Sequence, residues 1–121
     1  MNIFLTLLLA IVILEHLYFL YLEMFAWETL GPKAFKGLLK NDLFTPTKVL
    51  AANQGLYNGF LAAGLVWSFF INDIVWVENI RIFFLSCITI AGMYGGFSGS
   101  IKIFYIQGIP AILVLLLLVF N

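Results

Sequence analysis

The sequence predicts an all-α polytopic membrane protein: four transmembrane helices in a bundle, with a short amphipathic interfacial helix between the first two. Three observations predict it. Of 121 residues, 64% are hydrophobic and 10% charged, where a soluble domain carries about 45–50% and about 25%. The apolar residues fall in four runs, at about residues 3–26, 47–71, 79–97 and 102–120, each near the ~20 residues that cross a ~30 Å hydrocarbon core. The runs are continuous rather than alternating, and lipid offers the backbone no hydrogen-bond partner, so they must be helices and not barrel strands. One four-helix transmembrane domain then accounts for residues 1–121.

The first run opens on IFLTLLLAIVIL, with no Lys or Arg before it and no small-x-small cleavage site after it, which makes it a span rather than a signal peptide. It continues through Phe19, Leu20, Leu22 and Phe25. Residues 28–48 form the one substantial loop, punctuated by Gly31-Pro32, Asn41-Asp42 and Thr45-Pro46. Within it Lys33, Lys36 and Lys40 share one side of a helical wheel and Phe35, Leu38 and Leu39 the other, the interfacial-helix pattern. Such a helix attracts anionic headgroups at about 1 kcal/mol per basic residue, although the plainer reading, a connector that sets topology, is preferred. Pro46 behind Thr45 opens the second helix at Thr47, Asn72-Asp73 reverses the chain, and Ser98-Gly99-Ser100 separates the third run from the fourth. Pro110 bends that last helix and frees a backbone carbonyl close to Gln107.

Charge sets the expected orientation. Lys33, Lys36, Lys40, Lys48 and Lys102 flank one set of span ends and Arg81 alone the other, so the first and third loops are expected in the cytoplasm of a multi-pass protein of the cell membrane, with both termini outside. Trp27 is placed at the inner interface and Trp67 and Trp76 at the outer. Six basic residues balance six acidic ones, which leaves no field for nucleic acid; membrane lipids are the expected surroundings. One Cys and one His make neither a disulfide nor a metal-ligand pattern, and no cofactor is expected, since a haem would find His16 as its one axial ligand in the chain.

The polar residues inside the spans are the candidate site. Glu15 and His16 lie near the middle of the first helix and Glu23 toward its cytoplasmic end, where a charged side chain costs about 2.5–3.5 kcal/mol at helix centre and a Leu or Ile returns about 0.3–0.6. An ionisable group at such a cost marks binding or a proton relay, and close titratable groups exchange protons as a coupled set. At 1.5 Å per residue from the cytoplasmic boundary, Glu15 and His16 come to roughly 15–17 Å and Tyr57 and Asn58 to roughly 13–15 Å, while Glu23, Asn53, Gln54, Tyr94 and Gln107 come to roughly 5–9 Å. Two stacked polar layers are expected on the cytoplasmic half. Taken singly, each amide also reads as interhelical glue and each tyrosine as a packed ring; Glu15, His16 and Glu23 are the core of the expectation. Gly55, Gly59 and Ala63, and Gly92 with Gly96, repeat every four residues and are expected to pack helices within the chain, with a homodimer seam as the alternative.

These residues carry a resemblance. EHLYFLYLEMFAW at 15–27 and TKVLAANQGLYNGFLAAGL at 47–65, with Met93-Tyr94-Gly95 and Gln107-Gly108-Ile109-Pro110-Ala111, resemble the small bacterial membrane proteins grouped as domain of unknown function 1304. The resemblance covers nearly the whole chain and implies a four-helix integral membrane protein of bacterial type; it implies no activity. The loop LGPKAFKGLLKNDLF is less arginine-rich than that family's pattern.

Three functions compete on the residues alone. The first is proton-linked binding or transport of a small hydrophobic or cationic solute, similar in layout to the small multidrug resistance exporters in its four spans and central first-helix glutamate, Glu15. The second is a membrane-embedded acid-base enzyme acting on a lipidic substrate through His16 and a carboxylate. The third is a noncatalytic accessory subunit whose polar residues select a partner. The first is preferred.

Overall fold

Five helices carry the chain in the structure, a computed structural model that describes residues 2–120. Helix α1 is Ile3–Phe25, α2 Gly31–Ala34, α3 Lys48–Trp67, α4 Ile74–Ser98 and α5 Ile101–Val119. No strand occurs among the described residues.

Three of the helices, α1, α4 and α5, are long and apolar enough to cross a membrane. Their outward faces match that setting: Phe4, Leu7, Ile11 and Leu14 make an exposed stripe along α1, apolar where a soluble helix would be charged. Helix α3 reaches 20 residues but is not among the three, because Lys48, Asn53, Gln54, Asn58 and its glycines dilute the apolar run. The expected second span is therefore the most polar of the four runs.

The loop before α3 differs from the amphipathic helix expected of it. Regular helix stops after the one turn of α2, and residues 35–39 follow as turns. Gly37 is the reason: its φ of +83° is left-handed, which ends a right-handed helix and suits glycine. A Cβ there meets nothing within 4 Å, so the strain of Gly37→Ala is backbone strain alone. A loss of about 1–2 kcal/mol is expected in thermal unfolding; an unchanged midpoint would count against the left-handed turn.

The other helix ends have local causes. Helix α4 begins at Ile74, ahead of the expected 79, because the Asp73 carboxylate accepts the Val75 N–H at 2.9 Å and caps the helix there. Helix α3 ends at Trp67 and tightens into a 3-10 turn over Ser68–Phe70, where the Ser68 hydroxyl donates to the Leu65 carbonyl at 2.5 Å. Helix α5 widens into a π turn over Phe104–Gly108 just before Pro110, with the Ile109 N–H donating to Phe104 O. Proline supplies no amide to the ladder, so the expected disturbance at Pro110 takes the form of a wider turn.

The chain forms two compact units, one of residues through Leu14 together with those from Leu61 onward, the other Glu15–Phe60. The first holds the apolar core: Leu9, Val12, Leu65, Leu85, Ile88, Ala111 and Val114 are essentially without exposure. Helices α4 and α5 approach so closely that a Cβ on Gly92 would lie 2.7 Å from both the Cα and the N of Gly108. Arg81, on α4, is buried as well. Its Nε donates to the Ser68 hydroxyl at 2.8 Å, and its guanidinium sits 4.5 Å from the Phe69 ring centroid. Counted in the sequence as a charge at a span end, it is a packed residue tied to the end of α3.

Candidate functional site

The unit Glu15–Phe60 contains the polar cluster. The last part of α1 runs alongside the first part of α3 at a distance that Gly55 sets: a Cβ there would come 2.8 Å from Met24 Cγ and 3.0 Å from Glu23 Cβ. With no side chain at 55, the Glu23 carboxylate reaches across. It accepts the Asn58 amide on Oε1 at 2.6 Å and the Gln54 amide on Oε2 at 3.1 Å. Gln54 and Asn58 stand four apart, one above the other on a helix face, and so clamp both oxygens of one carboxylate. Glu23 and Asn58 are buried, and a buried carboxylate needs such donors.

Beside this clamp is an open groove of about 210 Å³, with Glu23 and Gln54 in its wall. Trp27, just beyond α1, forms another part of the wall, and Phe35 and Leu39 line it from the loop. Thr47 and Ala51 contribute from the start of α3. The Trp27 ring is held firmly: its indole N–H donates to the Thr47 hydroxyl at 3.0 Å, and it packs on Phe35 with centroids 5.3 Å apart and on the buried Phe44 at 4.9 Å. The Thr47 hydroxyl in turn donates to the Leu43 carbonyl at 2.6 Å. Nearby Glu28 accepts the Thr45 hydroxyl at 2.9 Å and pairs with Lys48 at 3.5 Å; that exposed ion pair is worth little to stability.

The nine residues singled out in the sequence are placed unequally. Glu23, Gln54 and Asn58 meet. His16 is fully buried, with its ring edge-on to Phe19 at 5.3 Å. Glu15 is half-buried, and its Oε1 has no hydrogen-bond partner among the described residues. Asn58, expected level with Glu15 and His16, bonds to Glu23 one layer nearer the end of α1. Asn53 and Tyr57 are exposed, since each precedes a clamp residue by one position and so points about 100° away from it; the Tyr57 ring packs edge-on against Phe60. In the other unit Tyr94 is exposed and Gln107 is half-buried in the π turn.

The wall residues Phe35, Thr47 and Ala51 were not expected at the site. A signal for two of them exists in the spacing: Thr47, Ala51, Gln54 and Asn58 follow at intervals of four, three and four, one helical face. Phe35 caps the end of α2, its N–H bonded back to the Gly31 carbonyl, and its place against Trp27 is one that no periodicity encodes.

Comparison with known proteins adds a family. A family model described as "Protein of unknown function (DUF1304)" matches residues 10–119. The "Uncharacterized protein YpaA" of Lactococcus lactis subsp. lactis (strain IL1403) is 32% identical over 114 residues, which cover 93% of this chain and 94% of that protein. No solved structure matches.

Proposed function

The chain belongs to the DUF1304 family, whose description names no activity, and from the chemistry of the polar cluster we propose that it binds a small organic cation in exchange for protons, as a multi-pass protein of the cell membrane. In this reading α3 crosses the membrane beside the three more apolar helices, its polar face turned from lipid toward Glu23, and both termini lie outside. The single observation in support is a buried carboxylate, Glu23, in the wall of a groove that also presents two aromatic rings. A proton and an organic cation compete for the same two oxygens, so each expels the other. Glu15 and His16, deeper in α1, serve as the relay that carries the proton onward. That competition is the elementary step of proton-linked transport.

The test is a pH series. With the full chain in lipid nanodiscs, affinity is read for a panel of organic cations that runs from benzylammonium to tetraphenylphosphonium. For at least one member, affinity is expected to weaken on the acid side by up to about tenfold per pH unit, because protons displace the cation. Glu23→Gln is expected to remove that dependence. If no panel member binds, or if binding ignores pH, the proposal fails.

A further inference from the structure

Resting on that reading, the same groove narrows the class of solute. Three features bear on it. The first is the balance of donors and acceptors in the wall. A carboxylate offers about four lone-pair sites, and Gln54 and Asn58 occupy one on each oxygen of Glu23. The wall's own donors, by contrast, are already committed: the Trp27 indole N–H to Thr47, the Thr47 hydroxyl to Leu43, and one Gln54 N–H to Glu23. Beyond the second N–H of Gln54, an anion or a carbonyl compound finds little to hold it, whereas a ligand that brings its own N–H groups finds acceptors waiting.

The second feature is the pair of rings. Trp27 and Phe35 meet at 63° with centroids 5.3 Å apart, and both belong to the wall, so they make an aromatic corner beside the carboxylate. Aromatic faces attract a cation within about 6 Å, and tryptophan does so best. The third is size. The space is a groove open on one side, and its volume of about 210 Å³ gives room for a single ring, or a short alkyl chain, and an ammonium group, below the ~300–1,000 Å³ of pockets for drug-sized molecules.

We propose that the groove between Glu23, Trp27 and Phe35 is selective for ammonium ions that carry N–H donors beside an apolar body such as a single ring. It discriminates against the neutral alcohol of the same shape, which brings no charge to Glu23, and against cations without an N–H group, which leave the free lone pairs of Glu23 unused.

Trp27 reports directly on occupancy. The chain has three tryptophans, so the full-length Trp67→Phe, Trp76→Phe protein in nanodiscs retains Trp27 as its sole indole. Titration with benzylammonium chloride is expected to change Trp27 emission saturably. Benzyl alcohol and tetraphenylphosphonium chloride are each expected to bind at least about tenfold more weakly. Ala51→Leu in the same background fills the groove without touching Glu23 and is expected to weaken benzylammonium by at least about tenfold. Equal affinity for benzyl alcohol overturns the role of the carboxylate, equal or tighter binding of tetraphenylphosphonium, which has no N–H group, overturns the donor requirement, and an unaffected Ala51→Leu protein overturns the location. In each of these cases a proton-competitive cation site elsewhere in the chain still stands or falls by the pH series above. A flat response to all three probes overturns this inference, and with a negative pH series it overturns the function too.

Discussion

Gly92→Ala is expected to destabilise the protein by about 1–3 kcal/mol, and Gly92→Leu to stop α4 and α5 from packing, because the added atoms have nowhere to go. The Cβ of residue 92 would sit 2.7 Å from two backbone atoms of Gly108, and backbone on both sides of a contact cannot be relieved by a change of rotamer. Helix backbones approach this closely only where both surfaces are bare of side chains, and such approach is the main source of attraction between helices already surrounded by apolar lipid. Gly59 makes the comparison sharp. A Cβ there would strike Leu20 Cδ1, the far end of a flexible side chain, which can turn away. Gly59→Ala is therefore expected to cost well under the Gly92→Ala value. Thermal unfolding of the two variants in one detergent checks the order; a reversal would mean that α4 and α5 are not held by backbone contact.

The sequence made the helical character and the polar cluster legible for one reason: in an apolar chain the exceptions stand out. Lipid-like runs locate helices through their cost in water, and a glutamate within such a run announces itself through its cost in oil. Glu23, Gln54 and Asn58 were visible on those terms. What periodicity does not carry is which rung of one helix faces which rung of the next. Asn58 was assigned by depth to the level of Glu15 and His16, yet it bonds to Glu23, because side chains several atoms long reach across more than one turn. Tyr57 comes to the same depth by that count and is exposed, since neighbours in a helix point apart. The aromatic wall was hidden for another reason. Phe35 reads as the apolar side of a helix that Gly37 interrupts, and Trp27 is fixed beside it by contacts from distant positions, its bond to Thr47 and its packing on Phe44. Arg81 carries more than the sequence displays. As a charge near a span end it counted toward topology, while its burial against Ser68 and Phe69 gives it a packing role that a charge count does not register.

The clamp itself yields a second large effect, in which stability and function separate. Glu23→Leu leaves the buried Asn58 amide without its acceptor, and a stranded buried polar group costs about 1–3 kcal/mol. Gln54 loses its acceptor too, but it is exposed and finds another partner. Asn58→Leu strands the carboxylate instead, holding it by Gln54 alone, and is expected to cost as much or more, since the group left behind bears charge. In the double variant, Glu23→Leu with Asn58→Leu, neither partner remains to be stranded, and two apolar side chains meet in an already apolar setting. Replacing both members of a polar pair in this way is close to neutral, so the double variant is expected to unfold nearer to wild type than either single one, with a coupling of about 1–3 kcal/mol. Binding follows a different rule. An ammonium ion needs the carboxylate, so both proteins without Glu23 should lose benzylammonium binding although one of them is stable. A stable double variant that still binds with wild-type affinity would reduce Glu23 to scaffold. If its loss of stability equals the sum of the single losses, the 2.6 Å bond from Asn58 to Glu23 is not what joins α1 to α3.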